Sequence, residues 1–171
     1  MNGKQLILIV ISFFLILFTY ENSLFAQQAD EIVITAEIRS MLLQRGLFLQ
    51  KGAGLPGTLE VGANIDSTRV PVINIFREVF GLSYDIDYNS GRVDFIACDN
   101  PGCYTDNNIA VGDDGDDVFR AYGMPTEDFF YAEEDTGIMM QYKSVAFVIG
   151  EDGSVTKIYI FPPFPAYYQG K

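Results

Sequence analysis

The 171-residue chain carries 23 acids against 11 bases, a formal charge of −12, two cysteines and no histidine. So acidic a surface repels phosphate backbones and anionic lipid, which excludes nucleic acid as an expected partner and leaves basic proteins or cations. Without histidine the commonest general base and zinc ligand are missing, so an enzyme is not expected.

Lys4 precedes an apolar run from Leu6 to Phe18 broken only by Ser12, and Glu21-Asn22-Ser23 leads on to Leu24-Phe25-Ala26. This is the pattern of a secretory signal over residues 1–26, cut after Ala26; the competing reading is a retained anchor. The run is shorter than the roughly 20 apolar residues of a membrane-spanning helix. A periplasmic or secreted protein follows, with no integral membrane segment after signal removal. One base, Lys4, and one acid, Glu21, leave with the signal, so the mature charge stays at −12.

Residues 27–57 read as an N-terminal helical segment and loop. Ile38, Met41, Leu42 and Leu43 fall near helical spacing from Ala36 onward, and Gly46 supplies the stop. Ile32-Val33-Ile34-Thr35 competes as a strand, and Gly52 to Gly57 reads as a loop. Residues 58–101 read as a helix followed by a hairpin. Ser67 or Thr68 is expected to cap the helix, Pro71 fits its first turn, and Val72, Ile75, Phe76, Val79 and Phe80 form its apolar stripe before Gly81. Leu82, Tyr84, Ile86 and Tyr88 then alternate with Ser83, Asp85 and Asp87, the period of a strand with one wet face. A turn at Asn89-Ser90-Gly91 leads back into Val93–Cys98.

Cys98 and Cys103 stand five apart across Asp-Asn-Pro-Gly. In an exported chain an isolated pair is expected to form a disulfide, and the turn residues between can bring the sulfurs together.

Residues 102–171 read as a second helix–hairpin unit. Asp113 or Asp114 caps a helix through Val118-Phe119-Arg120-Ala121-Tyr122, which Gly123 and Pro125 stop. Phe129–Tyr131 and Ile138–Met140 read as inserted strands, and Val145–Ile149 and Val155–Phe161 as a closing hairpin around Glu151-Asp152-Gly153. The proline-rich tail Pro162-Pro163-Phe164-Pro165 should leave the sheet.

The two units echo one another. Residues 89–101 and 151–163 share a glycine, a valine, an isoleucine and a proline, four of thirteen positions, where background composition gives about one. Upstream, Val61-Gly62 and Phe76-Arg77 echo Val111-Gly112 and Phe119-Arg120. The expected architecture is α+β: an N-terminal helix, then two helix-plus-antiparallel-hairpin units forming a small sheet-and-helix domain. An internal repeat is the competing account to shared turn chemistry alone.

The stretch Ile109-Ala110-Val111-Gly112-Asp113-Asp114-Gly115-Asp116-Asp117-Val118-Phe119-Arg120-Ala121-Tyr122-Gly123-Met124-Pro125 resembles the helix-then-sheet modules of the SmpA/OmlA outer-membrane assembly lipoproteins and of β-lactamase-inhibitor-like proteins. With 145–161 added more loosely, the resemblance covers about a quarter of the mature chain. It implies an interaction or scaffold role in the cell envelope and carries over no catalytic residue. Lipoprotein members bear an acylated cysteine after the signal, which this chain lacks.

Between 106 and 135 lie ten acids and one base, Arg120. Asp113, Asp114, Asp116 and Asp117 are the candidate calcium ligands, since hard cations gather carboxylates, although their spacing departs from an EF-hand loop. The competing role is helix capping and dipole compensation. With Asp106, Glu127, Asp128, Glu133, Glu134 and Asp135 they also make the expected surface for a basic protein partner. Asp85 and Asp87 share a strand face, but acids on a wet hairpin face are ordinary and mark no glycosidase pair. Tyr84, Tyr88, Tyr159, Tyr167 and Tyr168 read first as strand packing or tail residues. The leading expectation is a non-catalytic, cofactor-free interaction protein, and the alternative is an acidic calcium-binding one.

Overall fold

A computed structural model describes residues 34–125, 130–131 and 137–163, the pair at 130–131 as strand backbone. Helix α1 spans Ala36–Arg45; the Thr35 hydroxyl accepts the Ile38 N–H at its start, and Gly46, at φ 71°, ends it. None of its side chains is fully buried; Ile38, Met41 and Leu42 of the expected apolar stripe are half-buried and Leu43 is exposed. A polar contact also anchors it. The Arg39 guanidinium donates to the Glu78 carbonyl at 3.1 Å and pairs with the Glu78 carboxylate at 3.4 Å.

Short strands β1 (Leu47–Leu49), β2 (Gly54–Leu55) and β3 (Leu59–Glu60) follow, so the expected loop at 52–57 contains a strand that folds back on the next. Helix α2 is Val70–Phe80, entered through a single 3-10 turn at Ser67–Arg69. Asp66, rather than Ser67 or Thr68, caps that turn, accepting both the Thr68 N–H and hydroxyl. Ile73, Ile75, Val79 and Phe80 are its buried residues, while Val72 and Phe76 are half-buried. Gly81 closes it in the left-handed conformation with its N–H on the Arg77 carbonyl.

Strands β4 (Ser83–Ile86), β5 (Val93–Cys98) and β6 (Cys103–Thr105) come next, then helix α3 (Gly115–Tyr122). Strands β7 (Phe130–Tyr131), β8 (Gly137–Tyr142), β9 (Val145–Gly150) and β10 (Val155–Ile160) complete the chain order. The main sheet is antiparallel throughout, in the order β4-β5-β10-β9-β8-β7. Helices plus antiparallel sheet make this an α+β fold. One pairing departs from that scheme: β1 and β6 lie parallel, Leu47 opposite Cys103 and Leu49 opposite Thr105.

Register assigns the two faces of the sheet. Ile96, Ile160, Val145 and Tyr142 form one cross-strand row, and Cys98, Ile158, Phe147 and Met140 the next. All eight are buried. Helix α3 packs here, its Tyr122 ring 5.1 Å from Phe147 and 5.2 Å from Tyr142. Helix α2 does so too, its Phe80 carbonyl 3.0 Å from the Cys98 sulfur, and α1 stands on α2. Among the described residues, no helix covers the other face.

The hydrogen bonds of the first hairpin recur in the second. Val61 donates to the Ala53 carbonyl as Val111 does to that of Cys103, and Thr58 to Leu55 as Asn108 to Thr105, each fifty residues further on. The N–H of Gly62 meets the Val93 carbonyl at 2.7 Å, and that of Gly112 meets Val155 at 2.8 Å. Val93 in turn donates to Ala63, and Val155 to Asp113. Each hairpin turn is braced by an aspartate accepting nearby N–H groups, Asp87 from Asn89 and Ser90, Asp152 from Ser154. These bonds hold both carboxyls below the ordinary aspartate range, the Ser90 and Ser154 backbone N–H groups contributing most. Where β5 meets β10, Ala97 lies opposite Tyr159, its own counterpart in the sequence echo.

Candidate interaction surface

The face that no described helix covers is carried by the central strands. Alternation along β10 turns Ile158 and Ile160 to the core, so Lys157, Tyr159 and, just beyond the strand, Phe161 point the other way. The Phe161 N–H donates to the Ser144 carbonyl at 3.1 Å, which keeps the chain against the sheet one residue past the strand. From β5, Phe95 joins them. Its ring is 5.6 Å from Tyr159 and 6.4 Å from Phe161, while Tyr159 and Phe161 stack at 6.0 Å with planes 10° apart. The Lys157 ammonium lies 5.8 Å from the centre of the Tyr159 ring, close enough for a cation–π contact.

All three rings are half-buried. They overlie small residues in register, Ala97 and Ala146 on either side of Tyr159, which are almost fully covered. Ser83 and the exposed Asp85, opposite Phe95, border the cluster on β4; Gln141 and Met139 border it on β8. The arrangement is an aromatic platform with an acid at one side. It can bind by burying ring area and accepting a cation.

The four candidate calcium ligands are drawn into local structure. Asp114 caps α3, accepting the Asp116 N–H at 2.8 Å, and Asp113 accepts the Ala110 N–H at 2.8 Å. Asp117 pairs with Arg120 one turn on, and Asp116 and Asp117 sit in the first turn, where the helix dipole favours them. A bridge between Asp114 and Ser154 sets this helix start against the β9–β10 turn, which carries Glu151 and Asp152. Among the described residues, no three acidic or cysteine side chains stand close enough together to hold a metal ion. Glu127, Asp128, Glu133, Glu134, Asp135, Tyr167 and Tyr168 lie outside the described side chains.

Cys98 and Cys103 sit at disulfide distance, with Cα atoms 6.4 Å apart and both residues fully buried. Tyr84 packs beside Arg77, whose guanidinium is 5.7 Å from its ring centre, and Tyr88 is fully exposed past the end of β4. No helix among the described residues is long and apolar enough to cross a membrane.

No family profile matches the chain, and no curated protein does. It is similar to the crystal structure of the uncharacterized protein yfeY from Escherichia coli, at 10% identity and a TM-score of 0.42, over 68% of this chain and 99% of that one.

Behind the covered face, the Tyr122 hydroxyl lies 2.9 Å from the Thr105 hydroxyl and 3.3 Å from the Asp106 carboxylate, which can accept its proton. Burial pushes its phenol up to about 12, from an ordinary value near 10. A folded value above the unfolded one adds stability below pH 10, and that stability drains away as pH rises toward 12. Urea midpoints should therefore fall between pH 9.5 and 11.5 in the native chain and fall less in Tyr122→Phe. Equal slopes would mean that other groups set the alkaline limit.

Proposed function

We propose that the chain is a non-catalytic exported protein, periplasmic or secreted, that serves as an interaction module of the cell envelope. The sheet face opposite α2 and α3 docks a basic protein partner. The observation that carries this reading is the half-exposed cluster of Phe95, Tyr159 and Phe161 on a sheet face no described helix covers. Aromatic residues are enriched at binding surfaces because they supply large rigid contact area at low entropic cost. The formal charge of −12 supplies the complement to a basic partner and would steer its approach. The repeated hydrogen-bond scheme supports reading the two hairpin units as copies of one ancestral unit. The copies have diverged in charge: Asp113 and Asp114 before α3 correspond to Ala63 and Asn64 in the first unit, and Asp117 to Ser67.

The test is retention of partner from envelope extract on the immobilised protein, washed at increasing salt. A basic protein should be held at low salt and released as screening grows. Tyr159→Ala/Phe161→Ala should lose most of it, at least tenfold, while keeping the native circular dichroism spectrum. Retention unchanged by that variant, or no protein held at low salt, would remove the reading's support.

A further inference from the structure

The chain passes from its first half to its second through Asp99-Asn100-Pro101-Gly102. On either side of that crossing the halves hold each other by strand pairing, β1 to β6 in parallel and β5 to β10 antiparallel. A second copy of the chain can supply either pairing with identical chemistry. What decides between the two outcomes is whether the crossing stays folded back. We infer that the Cys98–Cys103 disulfide is a clamp that keeps these pairings within one chain, and that without it two chains exchange halves to form a domain-swapped dimer.

Geometry carries the inference. Exchange requires the crossing to straighten, and an extended chain would set the two cysteine Cα atoms about 17 Å apart. They stand 6.4 Å apart here, joined across the loop, so a closed bond forbids the extended state. The loop's own hold is slight. Asn100 donates its N–H to the Phe80 carbonyl at 3.1 Å and its amide to Val79 at 3.4 Å, and the Gly102 carbonyl accepts the Leu47 N–H at 2.7 Å. Opening the crossing forfeits those three bonds, while every strand pairing is regained in the dimer. Pro101 tilts the balance further, because the residue before a proline is driven toward extended conformations.

Both sulfurs are buried against the Phe80 carbonyl, so the folded clamp is shielded from solvent reductant. The choice is then made during folding. Closing the bond passes two electrons and two protons from the thiols to a disulfide oxidant. With oxidised glutathione in the refolding mixture, one molecule becomes two of the reduced form.

The experiment refolds the chain over a hundredfold range of concentration, once with oxidised glutathione and once in reductant, and the Cys98→Ala/Cys103→Ala variant alongside. Light scattering should show the oxidised chain monomeric throughout. The reduced chain and the variant should show a dimer fraction at least tenfold higher at the top of the range. Ala97→Cys/Tyr159→Cys, placed in that variant, then reports which chains pair, since residues opposite one another on antiparallel strands are close enough to cross-link. Covalent dimers on non-reducing gels support exchange. Cross-links confined to single chains, a variant that remains monomeric, or a chain that stays unfolded by both routes would each overturn it.

Discussion

Replacing Phe147 by alanine is expected to destabilise the fold by about 4 kcal/mol, within the range for emptying a fully buried aromatic site, and to lower the melting temperature by roughly 10 °C or more. Phe147 occupies the middle of β9, which has every residue from Val145 to Ile149 buried. Its ring is fully covered and meets Tyr122 of α3 at 5.1 Å and Tyr142 of β8 at 6.2 Å. One side chain therefore joins the covered sheet face to the helix above it and to the neighbouring strand. Alanine there leaves a void that β9 cannot close, because Ile158 and Met140 flank it in register on paired strands. Leucine keeps most of the volume and should cost about 1–1.5 kcal/mol. Thermal melts by circular dichroism read both values. A drop for alanine no larger than that for leucine would show that the helix is held elsewhere.

How much of this was legible beforehand depends on how many residues each feature uses. Helices α1 and α3 were readable to within a residue at their ends, because Gly46, Asp114 and Gly123 are local signals that act where they stand. The long strands β5, β9 and β10 were readable for the same reason: each spans enough residues to show its pattern between turn glycines. Strands β1, β2, β3 and β6 were not, since two or three residues carry no period and their pairing is decided by partners far along the chain. On α1 the spaced residues Ile38, Met41 and Leu42 are the half-buried apolar ones, while the Arg39–Glu78 contact is invisible in sequence.

The candidate surface was half legible. Lys157, Tyr159 and Phe161 alternate with buried isoleucines, which already places them together on one side. That no described helix covers this side, and that Phe95, two residues from Ala97, lies diagonally from Tyr159, required the fold and the β5–β10 register. The acids ran the other way. Sequence grouped Asp113, Asp114, Asp116 and Asp117 correctly as neighbours, but only the bridge to Ser154 shows that the β9–β10 turn brings Glu151 and Asp152 to the same corner.

Gly54→Ala should cost about 3 kcal/mol, combining backbone strain with overpacking, although it adds one methyl group in a two-residue strand. Two separate effects meet at this position. Its φ of 91° is a conformation that side chains rarely adopt. A methyl group would also run into the Ile96 Cδ1 and come within 2.9 Å of the Leu59 carbonyl oxygen. Ile96 is fully buried in the sheet, and Leu59 is held as the cross-strand partner of Leu55, so neither can step aside. Gly57, two residues past β2, separates the two effects. Its φ is 70°, yet nothing lies within 4 Å of where a methyl would stand. Gly57→Ala should therefore show strain alone, about 1 kcal/mol. The clash is tested by removing its partner: Ile96→Val deletes Cδ1 and by itself costs about 1 kcal/mol. Combined with Gly54→Ala it should cost at least about 1 kcal/mol less than the sum of the singles, the mark of two residues in contact. Additive losses in urea denaturation would mean that β2 shifts as a unit to relieve the methyl. In that case Gly54 is demanded by its backbone angle, and the packing of the first hairpin against the sheet tolerates more movement than the buried Ile96 implies.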